Sequence, residues 1–472
     1  MGKPKKAVLI IPNLQITAYA NEGKALGRHE GKVIFVPFAM PGDVVDVRVY
    51  QSKKDFAEAR IVNIVTPSPT RIAPRCKHFG VCGGCKWQHV PYAEQLQFKE
   101  TTIKETFRRL GKIEVAEWLP IKGSANEYYY RNKLEFAFAN KSWVPTEALT
   151  DKNQMQQPAL GYHLAGFWDK VLPIDECHLQ PEPSESIRDA VKRFAVANDF
   201  VFFDERAKTG LLRNLMIRVA RSGEVMVLVA FGEADMPRIN ALMDFLATTF
   251  PNITSLNYVV NPKVNDTIHD LDVVCYKGQD VIYERLGDLK FRISPQSFFQ
   301  TNTAQAEVLY NVVKEFADLK GDELVYDLYT GTGSIALFLA RHCKRVVGIE
   351  YVPQAIADAE ENAKLNAIDN AFFHVADIAK LIKSDDFIAF NGKPDVVITD
   401  PPRAGMHPDV IESLLKLLPE RIVYVSCNPA TQARDLEMLS SAYDVVKGCP
   451  VDMFPHTQHL ENVALLVRKA VV

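Results

Sequence analysis

From Phe291 onward the chain alternates helix-period and strand-period segments with a regularity that few architectures accept. Helices are expected over Thr303 to Ala317 and Ala355 to Leu365. Strands are expected at Leu324 to Asp327, Val346 to Ile349, Phe372 to Ala376, Val396 to Thr399 and Ile422 to Val425. Strands that alternate with helices argue for a parallel sheet covered on both faces. In such open sheets ligands gather at the carboxyl ends of the strands, so the residues there are the first to read for chemistry.

The first such end is Asp327-Leu-Tyr-Thr-Gly331-Thr-Gly333-Ser334, which closes a strand and opens a helix, with Glu350 ending the next strand. Glycines let backbone approach a ligand closely, and an acidic residue about 20 positions on can accept from both ribose hydroxyls. A dinucleotide enzyme wants a third glycine and room for a pyrophosphate. S-adenosylmethionine has no phosphates and tolerates this shorter pattern. Asp377, after the strand ending at Ala376, is either an adenine contact or a plain helix cap.

Two further strand ends carry unusual residues. Asp400-Pro401-Pro402-Arg403 is stiffened by its prolines; Asp400 can orient a cofactor or base edge, and Arg403 can meet a phosphate or carbonyl. Ser426-Cys427-Asn428-Pro429 sets a thiol at a strand end near a helix start, a setting that lowers a thiol pKa. Cys275, Cys343 and Cys449 lack such a setting. A thiolate added to one carbon of an unsaturated ring lets the neighbouring carbon attack a methylsulfonium, and a base must then remove that carbon's proton so that the thiolate can leave. Cys427 is the expected nucleophile. Glu461, just before the apolar run Val463 to Val467, is the expected base, with His456 and His459 as rivals.

The N-terminal side reads differently. Ala7 to Ile11, Val33 to Pro37 and Val44 to Val49 are short β-rich runs punctuated by turns, which suggests a small barrel ending at the Pro67-Ser68-Pro69 linker. Pro91 to Leu110 reads as one amphipathic helix, with Leu96, Ile103, Phe107 and Leu110 near helical spacing and Gly111 stopping it. Residues 120–290 suggest mixed α/β structure. The expected division is a barrel over 1–66, a central domain over 67–295 and a Rossmann-like domain over 296–472.

Cys76-x5-Cys82-x2-Cys85 supplies three thiolates within ten residues, with Gly80, Gly83 and Gly84 to let the loop wrap a ligand. Zinc would take a fourth ligand from His78, His89 or Cys177, whereas a [4Fe-4S] cluster wants a fourth cysteine, for which Cys177 is the best distant candidate. Spacing alone leaves both open. A net charge of −3 places any nucleic-acid surface in a local patch. With no apolar run near the ~20 residues of a membrane span, and a basic Met1 to Lys6 without a cleavage site, a cytoplasmic monomer is expected.

Taken together, these motifs resemble the uracil-5 RNA methyltransferase family, whose members modify bacterial 23S ribosomal RNA or transfer RNA. The matching elements are Cys76-x5-Cys82-x2-Cys85 with Cys177, Phe298-Phe299-Gln300-Thr301-Asn302, Asp327-Leu328-Tyr329 with its turn, Asp400-Pro-Pro-Arg403, Ser426-Cys427-Asn428-Pro429 and His459-Leu-Glu461. The resemblance covers essentially the whole chain. It implies an N-terminal TRAM-type oligonucleotide-binding barrel, a [4Fe-4S] cluster on the four cysteines and a Rossmann-like catalytic domain. It also implies Cys427 as nucleophile and Glu461 as base, with Gln300, Tyr329, Gly331, Gly333, Ser334, Glu350, Asp377 and Asp400 around cofactor and target base. Ser334 departs from relatives that carry Asn there. Cluster and barrel resemble the ribosomal-RNA branch, since the transfer-RNA members that the chain resembles lack both.

RNA contacts are expected from runs that mix cations with aromatics: Lys53-Lys54, Arg71 to Lys77, Arg108-Arg109, and Tyr128-Tyr-Tyr-Arg131-Asn-Lys133. The target uracil must leave its stack to reach Cys427, so a single-stranded or flipped uridine is implied. Two rivals are an amino-group methyltransferase built on the Asp-Pro-Pro loop, which expects an aromatic after the prolines, and an RNA-binding metalloprotein with an inactive methyltransferase domain.

Overall fold

The computed structural model describes residues 9–143, 155 and 157–470; the basic Met1 to Lys6 segment lies outside them. Strands β1 (Ile10–Tyr19), β2 (Lys24–His29), β3 (Lys32–Pro37), β4 (Val44–Ser52) and β5 (Phe56–Thr66) close into a barrel in the order β1-β2-β3-β5-β4. Alternating residues fill it: Ile11, Leu14, Ile16, Ile34, Val36, Val45, Val47, Ala57 and Ala59 are buried. Closure removes sheet edges, which open barrels must otherwise protect. Asp43 ties the exit linker to the barrel by accepting from Ser68 N–H at 2.9 Å and pairing with Arg71.

The predicted Pro91 to Leu110 helix is α1 (Tyr92–Thr106) followed by a π-turn over Phe107–Gly111. Its buried face keeps only half of the predicted apolar one, Ile103 and Phe107, and adds two polar residues. Gln95, Lys99, Ile103 and Phe107 face inward, while Leu110 is 60% exposed. After it, β6 (Glu117–Trp118) joins the edge of the C-terminal sheet by pairing with Lys447 and Gly448. Residues 92–118, which the expected division places in the central domain over 67–295, thus pack on the C-terminal domain.

The central sheet comprises β7 (Lys133–Ala139), β8 (Ala159–His163), β9 (Val171–Pro173), β10 (Leu212–Val219), β11 (Val225–Phe231), β12 (Ser255–Val260) and β13 (Val273–Gly278), ordered β13-β12-β11-β10-β7-β8-β9. Helices α2 (Ser184–Ala197) and α3 (Met236–Thr249) cover it. The hairpin β14 (Ile282–Leu286) and β15 (Leu289–Ile293) leads into the C-terminal domain.

There, α4 (Thr303–Ala317), β16 (Leu324–Leu328), α5 (Ser334–Ala340), β17 (Arg345–Glu350), α6 (Pro353–Leu365), β18 (Ala371–Val375), α7 (Ile378–Leu381), α8 (Asp385–Asn391), β19 (Val396–Thr399), α9 (Pro408–Leu417), β20 (Arg421–Ser426), α10 (Pro429–Leu439), β21 (Tyr443–Val451) and β22 (Glu461–Arg468) follow in turn. The sheet order is β18-β17-β16-β19-β20-β22-β21-β6. β16 to β20 are parallel, as the alternation predicts, but β22 enters antiparallel between β20 and β21. A reversed strand brings its first residue, not its last, to the carboxyl end of its neighbours. No helix among the described residues is long and apolar enough to cross a membrane.

Candidate active site

Parallel strands that end together deliver their following residues to one rim. β16 runs into Tyr329, which takes a φ of 64° rare for a bulky residue, so the chain leaves the sheet in a sharp turn. Gly331 and Gly333 also have positive φ, for different reasons. A Cβ on Gly333 would press on Ala359 and Phe373 at 3.0 Å, whereas one on Gly331 would meet nothing within 4 Å. Gly333 therefore serves packing and Gly331 faces open space. Glu350, at the end of β17, accepts Gly331 N–H at 3.2 Å and Tyr351 N–H at 2.8 Å. Asp377 caps α7 by accepting Lys380 N–H at 3.3 Å, with its side chain 48% exposed. The Ser334 hydroxyl is 2.8 Å from that of Tyr310 on α4, a partner the sequence did not reveal.

The second half of the rim carries Asp400, Cys427 and Glu461. Ser426 of β20 pairs with Asn462 of β22, so Cys427 and Glu461, one step further toward the rim, sit side by side at the ends of paired strands. Glu461 is no surface carboxylate: it is 7% exposed, and burial, then Asp400, hold its carboxyl well above the usual range. Burial, then the field of Asp327, pushes Asp400 up to about 7. Asp327, fully enclosed and accepting from Thr330 and from Ala336 N–H, is also pushed to about 7, mainly by burial. Arg403 is exposed above these carboxyls and opposes the rise in Glu461.

The expected lowering of the Cys427 pKa is not met. Burial, then the charges of Glu461 and Asp400, push the thiol up to about 11, with Arg403 pulling the other way. The helix start offers little relief, because the Asn428 side chain already accepts Ala430 N–H at 3.1 Å. Burial, aided by two carboxyls, outweighs one helix terminus.

These shifts have a consequence for stability. A carboxyl whose folded pKa lies above its unfolded value of about 4 binds its proton more tightly when folded. The stabilisation is complete below that value and is lost as pH rises through about 7. The melting temperature of the ligand-free protein should therefore fall between about pH 5 and pH 8. Asp400→Asn should flatten that slope; an unaltered slope in thermal melts would remove Asp400 from the titration.

Gln300 precedes α4, and its carbonyl accepts from Asn132 Nδ2 at 2.9 Å. The run Tyr128 to Lys133, expected at the RNA surface, divides. Tyr130 and Asn132 are buried, while Tyr129 is 44% exposed beside Arg75. Lys133 on β7 lies 3.8 Å from Glu135, and Arg131 stands over the Phe454 ring at 5.3 Å.

Arg131 also lines a cavity of about 500 Å³ into which Cys76, Cys82, Cys85 and Cys177 all open. His78 lines it too, whereas His89 is fully buried against Ala39 O instead. All eight cysteines are free thiols. Burial raises all four at this cavity, Cys82 to about 11 and Cys85 to about 12. Among the described residues no three His, Cys, Asp or Glu side chains converge on a point fit for a single metal ion.

A sheet of this order, with an acidic residue ending β17 and a Gly-rich turn after β16, is that of the S-adenosylmethionine-dependent methyltransferases. Comparison with known proteins narrows the class. Residues 278–469 match the family model for tRNA (Uracil-5-)-methyltransferase, and residues 13–62 match the TRAM domain. An RNA methyltransferase of Bacteroides thetaiotaomicron is 51% identical over 451 residues, covering 95% of this chain and 99% of that one. One from Porphyromonas gingivalis is 52% identical over 463 residues, 96% of this chain and 99% of the other. Among solved structures, the Pyrococcus abyssi tRNA (uracil-54, C5)-methyltransferase in complex with S-adenosyl-L-homocysteine is 30% identical, with a TM-score of 0.74 over 96% of this chain and 100% of that one. The chain belongs to the RNA (uracil-5-)-methyltransferase family with a TRAM domain, and its activity is S-adenosylmethionine-dependent methylation of uracil carbon 5 in RNA.

Proposed function

We propose that the chain methylates a uridine of 23S ribosomal RNA through a covalent adduct on Cys427. The pairing of β20 with β22, which sets Cys427 beside Glu461, carries this reading. Bound at the rim by Gln300, Tyr329, Gly331, Gly333, Ser334, Glu350, Asp377 and Asp400, S-adenosylmethionine supplies an electrophilic methyl group. The Cys427 thiolate adds to carbon 6, and the displaced electron pair makes carbon 5 nucleophilic. Once carbon 5 carries the methyl, Glu461 takes its proton, the ring double bond re-forms and Cys427 leaves. A carboxyl held above its usual pKa is the stronger base for that step. Arg403, Arg131 and Lys133 are proposed to hold the RNA, whose uridine must be unpaired or flipped to reach the thiol.

Cysteine quartet and barrel together favour ribosomal RNA by the resemblance described above. Alignment of the Pyrococcus abyssi enzyme over 96% of this chain spans the barrel, however, so the barrel alone does not separate the two substrates. Transfer RNA is the second reading on that account. Mapping 5-methyluridine in both RNAs, from cells with and without the gene, decides. Loss at a 23S uridine is expected; loss confined to transfer RNA selects the second reading, and loss in neither overturns both.

We also propose that Cys76, Cys82, Cys85 and Cys177 hold a [4Fe-4S] cluster. Four thiols ringing a roomy cavity fit a cluster, which spreads its ligands, better than zinc, which draws them to one point. Protein purified without air should be brown and contain about four irons per chain. Stoichiometric zinc without iron would refute the cluster.

A further inference from the structure

Between β21 and β22 runs a strap, residues 452–460, that ends one residue before Glu461. It has no regular structure of its own, yet four consecutive carbonyls in it are each captured by a different element. Met453 O accepts Asn302 Nδ2 at 3.0 Å, and Phe454 O accepts Lys99 Nζ at 3.2 Å. Pro455 O accepts the Tyr130 hydroxyl at 3.1 Å. His456 O accepts Lys86 N–H at 2.7 Å and Trp87 N–H at 3.1 Å, immediately after Cys85.

Side chains lock the same stretch. Asp452 meets Lys99 at 2.6 Å in a fully buried ion pair and accepts from Tyr92 at 2.8 Å. Gln95 accepts His456 N–H at 2.9 Å, and its amide donates to Val90 O at 2.9 Å and Trp87 O at 3.1 Å. His456 itself has a φ of 64°, is 1% exposed and lies 4.4 Å from the Tyr128 ring. A buried non-glycine residue holds that backbone only when its surroundings dictate it. On its other side the strap lines the cysteine cavity through Thr457.

A loop needing only to join two antiparallel neighbours can be far shorter. This one is instead moulded against α1, the loop after Cys85 and the start of α4. We propose that Gln95 and Tyr130 are positioning residues for removal of the carbon-5 proton: by holding the strap, they set where the Glu461 carboxylate stands relative to Cys427. Neither belongs to the rim that holds cofactor and base. The inference rests on Glu461 being the base, and it makes the packing of the cysteine loop part of what the base requires.

The test separates two steps. Adduct formation on 5-fluorouracil RNA reads addition and methyl transfer, because the fluorine cannot be removed as a proton. Release of ordinary methylated RNA reads proton removal. Gln95→Leu should slow release about tenfold, accumulating adduct on ordinary RNA, and leave trapping on the fluorinated RNA within about twofold. Tyr130→Phe, which deletes one hydroxyl and keeps the ring, should show the same pattern more weakly and stands in if the first variant does not fold. Release at the parental rate in both variants, or equal loss of both steps, overturns the proposal. Glu461→Gln is run alongside. Free turnover by that variant removes the base assignment itself, whereas blocked Glu461→Gln with unimpaired Gln95→Leu and Tyr130→Phe removes only the strap.

Discussion

Cys427→Ala should lose methyl transfer by at least about 10⁴-fold, the order of loss seen when a covalent nucleophile is deleted. It should also form no denaturation-resistant adduct with 5-fluorouracil RNA. The size of the effect follows from the substrate, since without addition at carbon 6 the ring has no electron density to offer the methyl group. The thiol at this rim starts disadvantaged, raised to about 11 by burial and two carboxyls. Arg403 pulls the other way and favours the thiolate. Gel analysis of labelled RNA after denaturation reads the result. A persistent adduct in Cys427→Ala would place the nucleophile elsewhere, and Cys275, Cys343 and Cys449 could then be tested in turn.

Glu461→Gln should behave in the opposite way on the gel. Addition and methyl transfer need Cys427, but release needs the proton removed, so the variant should accumulate protein–RNA adduct on ordinary RNA. Turnover should drop about 10²- to 10⁴-fold, the usual worth of a positioned base. Glutamine keeps the shape and removes the basicity, so the fold should persist. His459 is the nearest rival in sequence, but burial, then surrounding cations led by Arg403, depresses its pKa to about 4, which makes it a weak base. Clean turnover by Glu461→Gln would reopen that choice.

What the sequence makes legible here depends on how local the cause is. Helix α4 runs from Thr303 to Ala317 as expected because Asn302 caps it and the apolar spacing is strong; its side chain accepts Gln305 N–H at 3.2 Å. Strand Val396–Thr399 likewise follows from its own composition. Helix α1 shows the limit. Apolar periodicity selects Leu96, Ile103, Phe107 and Leu110, of which Ile103 and Phe107 are buried, yet the helix also buries Gln95 and Lys99, whose partners His456 and Asp452 lie at the far end of the chain. Polar residues buried for a distant partner carry no local signature. The same holds for β6, two residues long, and for β22, whose antiparallel entry no helix–strand alternation announces. Glu350, Asp400 and Cys427 stand out in the sequence because each lies at or just after the end of its own strand, and the four cysteines because thiols are scarce. The raised pKa of Cys427 is not legible there, since it comes first from burial in the folded chain and then from Glu461 and Asp400 on other strands' ends.

The reversed strand has a consequence for the making of the protein. Synthesis delivers Cys427, just after β20, well before β22, which must slip in beside β20 and carries Glu461 as its first residue. Until the β21–β22 hairpin docks, one edge of β20 is unpaired and Cys427 has no Glu461 beside it. On the mechanism proposed above, the order of synthesis thus places the nucleophile in the chain before the base, and β22 completes the pair.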